Sequence, residues 1–302
     1  MSVRHYLSEN DLTREELLSI LNRAEALRLE WEQGTPHPLF PHKTLAMIFE
    51  KSSTRTRVSF EAGMTQLGGH SIYLSPDGSH MGRGEPLEDT ARVLSRMVDI
   101  VMIRTGAHDN VERFSEASSV PVINGLTDLL HPCQLLADMQ TYQHHRGSIE
   151  GKTVAWIGDG NNVCNSYINA ASLLGFKLHI AHPEGYSPDT ELLEHAGDTV
   201  EISSSVTDAV AGANLVTTDV WSSMGHEAQQ NERRAAFANY TVNDELMSQA
   251  AEDAVFMHCL PAHRGEEVEA SVIDGPQSIV WDQAGNRLHA QKALIEFLLN
   301  QP

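Results

Sequence analysis

The chain has 302 residues, 41% of them hydrophobic, enough for one large or two medium domains of about 150 residues each. Its 21 Lys and Arg against 41 Asp and Glu give a formal charge of −20, which argues against a general nucleic-acid or anionic-membrane role and leaves any anionic ligand to a local cluster of cations. The three cysteines, Cys133, Cys164 and Cys259, fall in no CxxC spacing, the first residues lack an apolar leader, and no apolar run nears the roughly 18 residues of a membrane span; these features point to a reduced, cytoplasmic chain without a disulfide framework or zinc site.

Residues 11–33 have helical periodicity, with Asp11 as the expected cap and Leu17, Ile20, Leu21 and Ala24 on one face. The apolar run 44–49 reads as a strand buried on both faces. Directly after it, Lys51-Ser52-Ser53-Thr54-Arg55-Thr56-Arg57 puts three cations and four hydroxyls at the start of a helix whose inner face is Phe60, Met64 and Leu67 and whose stop is Gly68-Gly69. Free N–H groups and the positive end of the helix dipole attract anions there, and an Arg fork matches phosphate oxygens in pairs.

A strand at 71–75, a polar loop at 76–84 and a helix from Pro86 through Met97 come next. A strand at 99–103 delivers Arg104 at its carboxyl end, where ligands of parallel sheets bind. Another strand, 120–124, precedes His131-Pro132-Cys133-Gln134, with Pro132 at the first position of a helix to about His145.

The pattern restarts near 146–151, which marks the approach to a second domain. There the strand 153–157, turn 158–162, helix 163–174 and strand 177–181 form a βαβ unit. Gly158-x-Gly160-x-x-Val163 lacks the third glycine of a dinucleotide site, which leaves a nicotinamide-dependent dehydrogenase as the minor alternative, and Asn162 suits a small polar ligand better. After a helix, a short strand at 200–202 and a further helix, the strand 215–218 ends in Asp219-Val220-Trp221-Ser222-Ser223-Met224-Gly225, a natural counter-charge for an ammonium group. The polar stretch 229–246 and the buried strand 254–260, which runs out into the motif His258-Cys259-Leu260-Pro261-Ala262, lead to a last strand at 278–281, a turn at 282–287 and a terminal helix at about 288–299.

Four separated motifs, Ser53 to Arg57, His131 to Gln134, Asp219 to Gly225 and His258 to Ala262, agree in identity and order with the aspartate/ornithine transcarbamylase family, and the chain resembles its ornithine branch. An aspartate enzyme would be expected to carry an Arg where Ala262 stands. The resemblance implies an α/β fold of two doubly wound parallel-sheet domains, 1–147 for carbamoyl phosphate and 148–302 for ornithine, with the active site in the cleft between them and the terminal helix packing back on the first domain. It implies carbamoyl phosphate held by Ser53, Thr54, Arg55, Thr56, His80, Arg104, His131 and Gln134, with Cys259, Leu260 and Arg287 completing the site, and L-ornithine held by Asn162, Asp219, Ser223 and Met224. Arg55, Arg104, His131, Asp219 and Cys259 are the implied catalytic set, acting without metal or cofactor.

The family usually carries Gln where this chain has His80, on a loop that reaches a neighbouring subunit's site; the resemblance thus implies a homotrimer or a multiple of trimers. The alternative within the class is a transcarbamylase for another amine, putrescine or an N-acylated ornithine. A relative that binds without turnover is a third reading, disfavoured by the complete catalytic set.

Overall fold

The computed structural model describes residues 3–75, 84–203, 205–222 and 230–301; His80, Ser223 and Met224 of the expected site lie outside them. The chain forms two compact units: one takes residues up to Gln140 and again from Gly285 onward, the other runs Thr141–Ala284.

In the first unit, β1 (Thr44–Phe49), β2 (His70–Leu74), β3 (Ile100–Arg104) and β4 (Val122–Leu126) make a parallel sheet of order β2-β1-β3-β4. The unbroken apolar stretches of β1 and β3 are buried almost throughout their length, whereas β2 at the sheet edge is half-exposed. Helix α1 (Arg14–Glu32) comes before the sheet, the crossover helices are α2 (Thr54–Gln66), α3 (Leu87–Leu94) and α4 (His108–Ala117), and α5 (Pro132–Arg146) comes after it. One face of the sheet packs Ile48, Val101, Ile103 and Val122 against Ala91, Val111 and Phe114 of α3 and α4.

In the second unit, β5 (Thr153–Ile157), β6 (Lys177–Ala181), β7 (Val200–Ser203), β8 (Leu215–Thr218) and β9 (Val255–His258) form a parallel sheet of order β7-β6-β5-β8-β9. Its helices are α6 (Asn162–Leu174), α7 (Thr190–Ala196), α8 (Val206–Val210), α9 (Gln230–Phe237), α10 (Asp244–Met247) and α11 (Ala270–Ile273), and α12 (Val280–Leu299) ends the chain. Phe256, Val272, Ile273 and Val280 share a core with Ala155, Ile157 and Val216. Among the described residues no helix is long and apolar enough to cross a membrane.

Each sheet has one place where the strand order reverses, β1/β3 in the first and β5/β8 in the second. Such switch points open a crevice beyond the carboxyl ends of the strands, where ligands of α/β folds bind.

Several expected boundaries move. Asp11 does not cap α1: its carboxylate closes a capping box with Ser8 around a short 3-10 turn, and Thr13 with Glu16 caps the helix. Arg104 is the last residue of β3 itself. The helix expected to start near 288 begins at Val280, eight residues earlier, and the strand expected at 278–281 is absent. Ser278 makes only an isolated bridge to Phe256, after which Gln283 N–H already donates to Ile279 O. The turn formers Asp282, Gly285 and Asn286 are overruled by the burial of Val280, Gln283 and Arg287 on the same helix.

Candidate active site

In the first unit the site begins at the β1/β3 switch. Parallel pairing sets Phe49 opposite Arg104, so Arg104 emerges beside the turn that links β1 to α2. Its Nε donates to Lys51 O at 3.1 Å, which ties the guanidinium to that turn. Ser53 caps α2, accepting Thr56 N–H at 3.2 Å, so Thr54, Arg55 and Thr56 occupy the first helical turn as the sequence pattern requires. Lys51 leans away, its Nζ 2.5 Å from Asp128, and Arg57 stacks its guanidinium on the Tyr73 ring at 4.1 Å, so neither is part of the anion cluster.

From β4 the chain turns through Thr127 and Leu130 into His131 and α5. His131 is 6% exposed, and burial, followed by the charges of Arg287, Arg104 and Arg55, holds its imidazole well below its ordinary 6.5. A neutral ring among three guanidinium groups can donate a hydrogen bond without adding a fourth cation. Cys133 belongs to the core: its thiol donates to Asn124 O at 3.3 Å and burial pushes its pKa up to about 12.

Arg287, expected at the end of the turn before the terminal helix, joins this set from the interior of α12 instead. Its two terminal nitrogens donate to Gln134 Oε1 at 2.6 Å and to Thr56 Oγ1 at 3.2 Å, a fork that links α12, α5 and α2. Gln134 in turn donates from Nε2 to Asp138 at 2.7 Å. The first unit therefore gathers Thr56, Arg55, Arg104, His131, Gln134 and Arg287, a set suited to a compact dianion carrying a carbonyl group.

In the second unit the β5/β8 switch sets Ile157 opposite Thr218, which places Asp219 beside the turn 158–161. Asn161 organises that turn: its Oδ1 caps α6 by accepting Val163 N–H and Cys164 N–H, and its Nδ2 donates to Asp219 Oδ2 at 2.7 Å. The other oxygen of Asp219 accepts Val220 N–H at 2.8 Å and the Cys259 thiol at 3.0 Å. A carboxylate only 7% exposed is thus held in one orientation by three donors from three segments.

The expected ligand Asn162 is the first residue of α6, and its neighbour Asn161, to which the sequence pattern assigned no role, makes the bond to Asp219. Gly160 has a packing role: a Cβ there would collide with the backbone of Ser187 and Pro188, so the next segment fills the space a pyrophosphate would need. Asp159 is paired to Arg233, whose guanidinium also donates to Trp221 O and stacks on Tyr186, pinning the segment after Asp219.

At the end of β9, Leu260 has φ +57, a left-handed conformation that a γ-branched residue adopts only under constraint. The constraint comes from His258, whose Nδ1 accepts Leu260 N–H at 2.9 Å, which leaves the ring proton on Nε2, 3.3 Å from the buried Glu267 carboxylate. This fully buried pair shapes the turn that presents Cys259 to Asp219, and nothing in the motif His-Cys-Leu-Pro pointed to its partner nine residues on.

Asp219, His258 and Cys259 offer metal-ligand atoms within 4.8 Å of one another, as do His263, Glu266 and Glu267. In the tautomer that Leu260 imposes, His258 has no lone pair left for an ion, and Glu266 is already paired with Arg234 at 2.5 Å. Both groups read as structural.

Comparison with known proteins matches both halves. A family model described as the carbamoyl-P binding domain of aspartate/ornithine carbamoyltransferase covers residues 4–144, and one described as the Asp/Orn binding domain of the same family covers 150–298. An ornithine carbamoyltransferase of Methylococcus capsulatus is 62% identical over 299 residues, 99% of each chain. Among solved structures, ornithine carbamoyltransferase from Burkholderia thailandensis is 54% identical with a TM-score of 0.92 over 99% of both chains, and that from Pyrococcus furiosus is 48% identical with a TM-score of 0.94, covering 97% of this chain and 96% of the other.

Proposed function

The chain belongs to the aspartate/ornithine carbamoyltransferase family, and from that premise we propose that it transfers the carbamoyl group of carbamoyl phosphate to the δ-amine of L-ornithine, giving L-citrulline and phosphate. The observation that carries the reading is the convergence of Arg55, Arg104 and Arg287 on the neutral, buried His131 at the first turns of α2 and α5.

The phosphate of the donor fits the first turn of α2, with Ser53, Thr54, Arg55 and Thr56 around it and Arg104 alongside. His131 and Gln134 reach its carbamoyl end. When the neutral amine attacks the carbamoyl carbon, negative charge builds on the carbonyl oxygen and then on the departing phosphate. Preset guanidinium groups and an imidazole N–H stabilise that charge at no cost in reorganisation, and such stabilisation usually outweighs every other catalytic effect in transfers of this kind. On the ornithine side, Asp219 receives the ammonium and Cys259 orients the carboxylate, while the δ-amine attacks directly and no acyl-cysteine forms. Asn162, Ser223 and Met224 complete recognition of ornithine, Leu260 completes the carbamoyl-phosphate site, and His80 supplies a further donor to the phosphate.

In this reading residues 1–147 serve carbamoyl phosphate and 148–302 serve ornithine, with Arg287 returning to the first set. The enzyme works in the cytoplasm as a homotrimer or a multiple of trimers with shared sites; the half-exposed edge strand β2 and the exposed Val58 and Ile72 support an interface on that side.

The test is a steady-state citrulline assay with carbamoyl phosphate and, in turn, ornithine, putrescine, N-acetylornithine and aspartate. Ornithine is expected to be preferred by at least about a hundredfold in kcat/KM, the discrimination that a buried charge partner provides. Preference for another amine would overturn the ornithine assignment, and no turnover with any amine would overturn the transfer.

A further inference from the structure

Resting on the carbamoyl-phosphate reading above, we propose that Asp138 is a positioning residue that sets which end of the Gln134 amide meets the substrate, and so underlies selection of a carbamoyl over an acetyl group.

Asp138 lies one helical turn after Gln134 on α5, is 1% exposed, and belongs to no motif that the function has absorbed. The i, i+4 spacing puts both side chains on one face of the helix. A side-chain amide is nearly symmetric in shape, so sterics alone allow either end to face either neighbour. Here chemistry removes the ambiguity from both sides. An ionised carboxylate can only accept, which directs Nε2 to Asp138 at 2.7 Å; a guanidinium can only donate, which directs Oε1 to Arg287 at 2.6 Å. The outcome is an ordered chain, Asp138–Gln134–Arg287–Thr56, whose last member sits in the first turn of α2.

In that orientation Gln134 keeps one N–H on Nε2 and one lone pair on Oε1 beyond those two bonds. A carbamoyl group needs both, a donor for its oxygen and an acceptor for its NH2, whereas acetyl phosphate carries a methyl in place of the NH2 and cannot use the acceptor. A reversed amide would present the wrong partner to each. The carboxylate also offsets the buried charge of Arg287 through one intervening amide, which explains why an acid is tolerated where burial is so nearly complete.

Isothermal titration calorimetry of carbamoyl phosphate and acetyl phosphate against the parent chain, Asp138→Asn and Asp138→Leu tests this. The parent is expected to bind carbamoyl phosphate more tightly. Asp138→Asn keeps an acceptor but trades a charge-assisted bond for a neutral one, so about threefold of that preference is expected to vanish. Asp138→Leu keeps the volume and removes the acceptor, so about tenfold is expected to vanish, with acetyl phosphate, which forfeits only the donor to its carbonyl oxygen, weakened less than carbamoyl phosphate in both variants. The isosteric Asn variant is decisive if the Leu variant does not fold. A folded variant that retains the parent's preference, or one that weakens both compounds equally, overturns the role of Asp138. A parent that binds neither compound overturns the carbamoyl-phosphate reading itself.

Discussion

Cys259 donates its thiol to Asp219 across 3.0 Å, joining the carboxyl ends of β9 and β8. If this contact orients a carboxylate, any small donor at 259 serves. Cys259→Ser is expected to keep kcat/KM for ornithine within about tenfold of the parent, and Cys259→Ala to lose a further factor of about ten, the worth of one hydrogen bond to a charged group. A covalent route predicts the opposite: loss in both variants, with carbamoyl label retained on acid-quenched parent protein.

Arg55→Ala and Asp219→Ala separate the two substrates. The first is expected to lower activity with every amine by about two to three orders of magnitude, since on the proposed reading it removes a preset cation that faces the leaving group. The second is expected to raise KM for ornithine most and to leave the KM for carbamoyl phosphate within about threefold, for want of only the ammonium partner. Indistinguishable kinetic defects in the two variants would contradict the division.

Buried histidines give the chain a characteristic response to acid. His131 is held well below 6.5 by burial and three guanidinium groups, and burial with the charges of Lys292 and Arg28 lowers His289 to about 3. Both stay neutral in the fold while the unfolded chain takes up protons below pH 6.5, so stability is full above that pH and falls as pH drops, each site adding about 1.4 kcal/mol per pH unit. Urea midpoints are expected to decline between pH 6.5 and about 5, and His289→Gln is expected to flatten the slope. A midpoint independent of pH over that range would refute the assignment.

The cysteines differ in reactivity for the same physical reason. Burial pushes Cys133 up to about 12 and Cys164 well above 9, while Cys259 is half-buried. At pH 8 only about one part in ten thousand of a thiol with a pKa near 12 is ionised, so alkylation of the native chain is expected at Cys259 first and at the other two only on unfolding. Peptide mapping after limited treatment with iodoacetamide checks the order.

What could be read before the fold was known followed the strength of the local pattern. The runs 44–49, 153–157 and 215–218 coincide with β1, β5 and β8, strands buried almost throughout, and 177–181 coincides with β6, where Leu178 and Ile180 alternate with the more exposed Lys177 and His179. The helix α4 left no such trace: it turns only Val111 and Phe114 inward among large apolar residues, too few for a period to show. The start of α12 was misplaced because Gly285 and Asn286 favour a turn locally, and only tertiary packing overrides them.

The same contrast holds in the site. Arg55, Arg104, His131 and Asp219 stand at strand ends or helix starts, where position alone suggests chemistry. Asn161, Asp138 and Glu267 act through another side chain, and the partner that gives each its meaning, Asp219, Gln134 or His258, is identified only once the chain is folded.

Because the first unit is assembled from two separated pieces of chain, its completion waits on α12. Ala290, Leu294 and Leu298 are buried there, Lys292 bonds His37 and Gln66, and Arg23 pairs with Glu296. On the ribosome, the segment made first is therefore finished last. A nonsense codon just before Gly285 would deprive the half synthesised earliest, sparing the one translated immediately upstream of the stop.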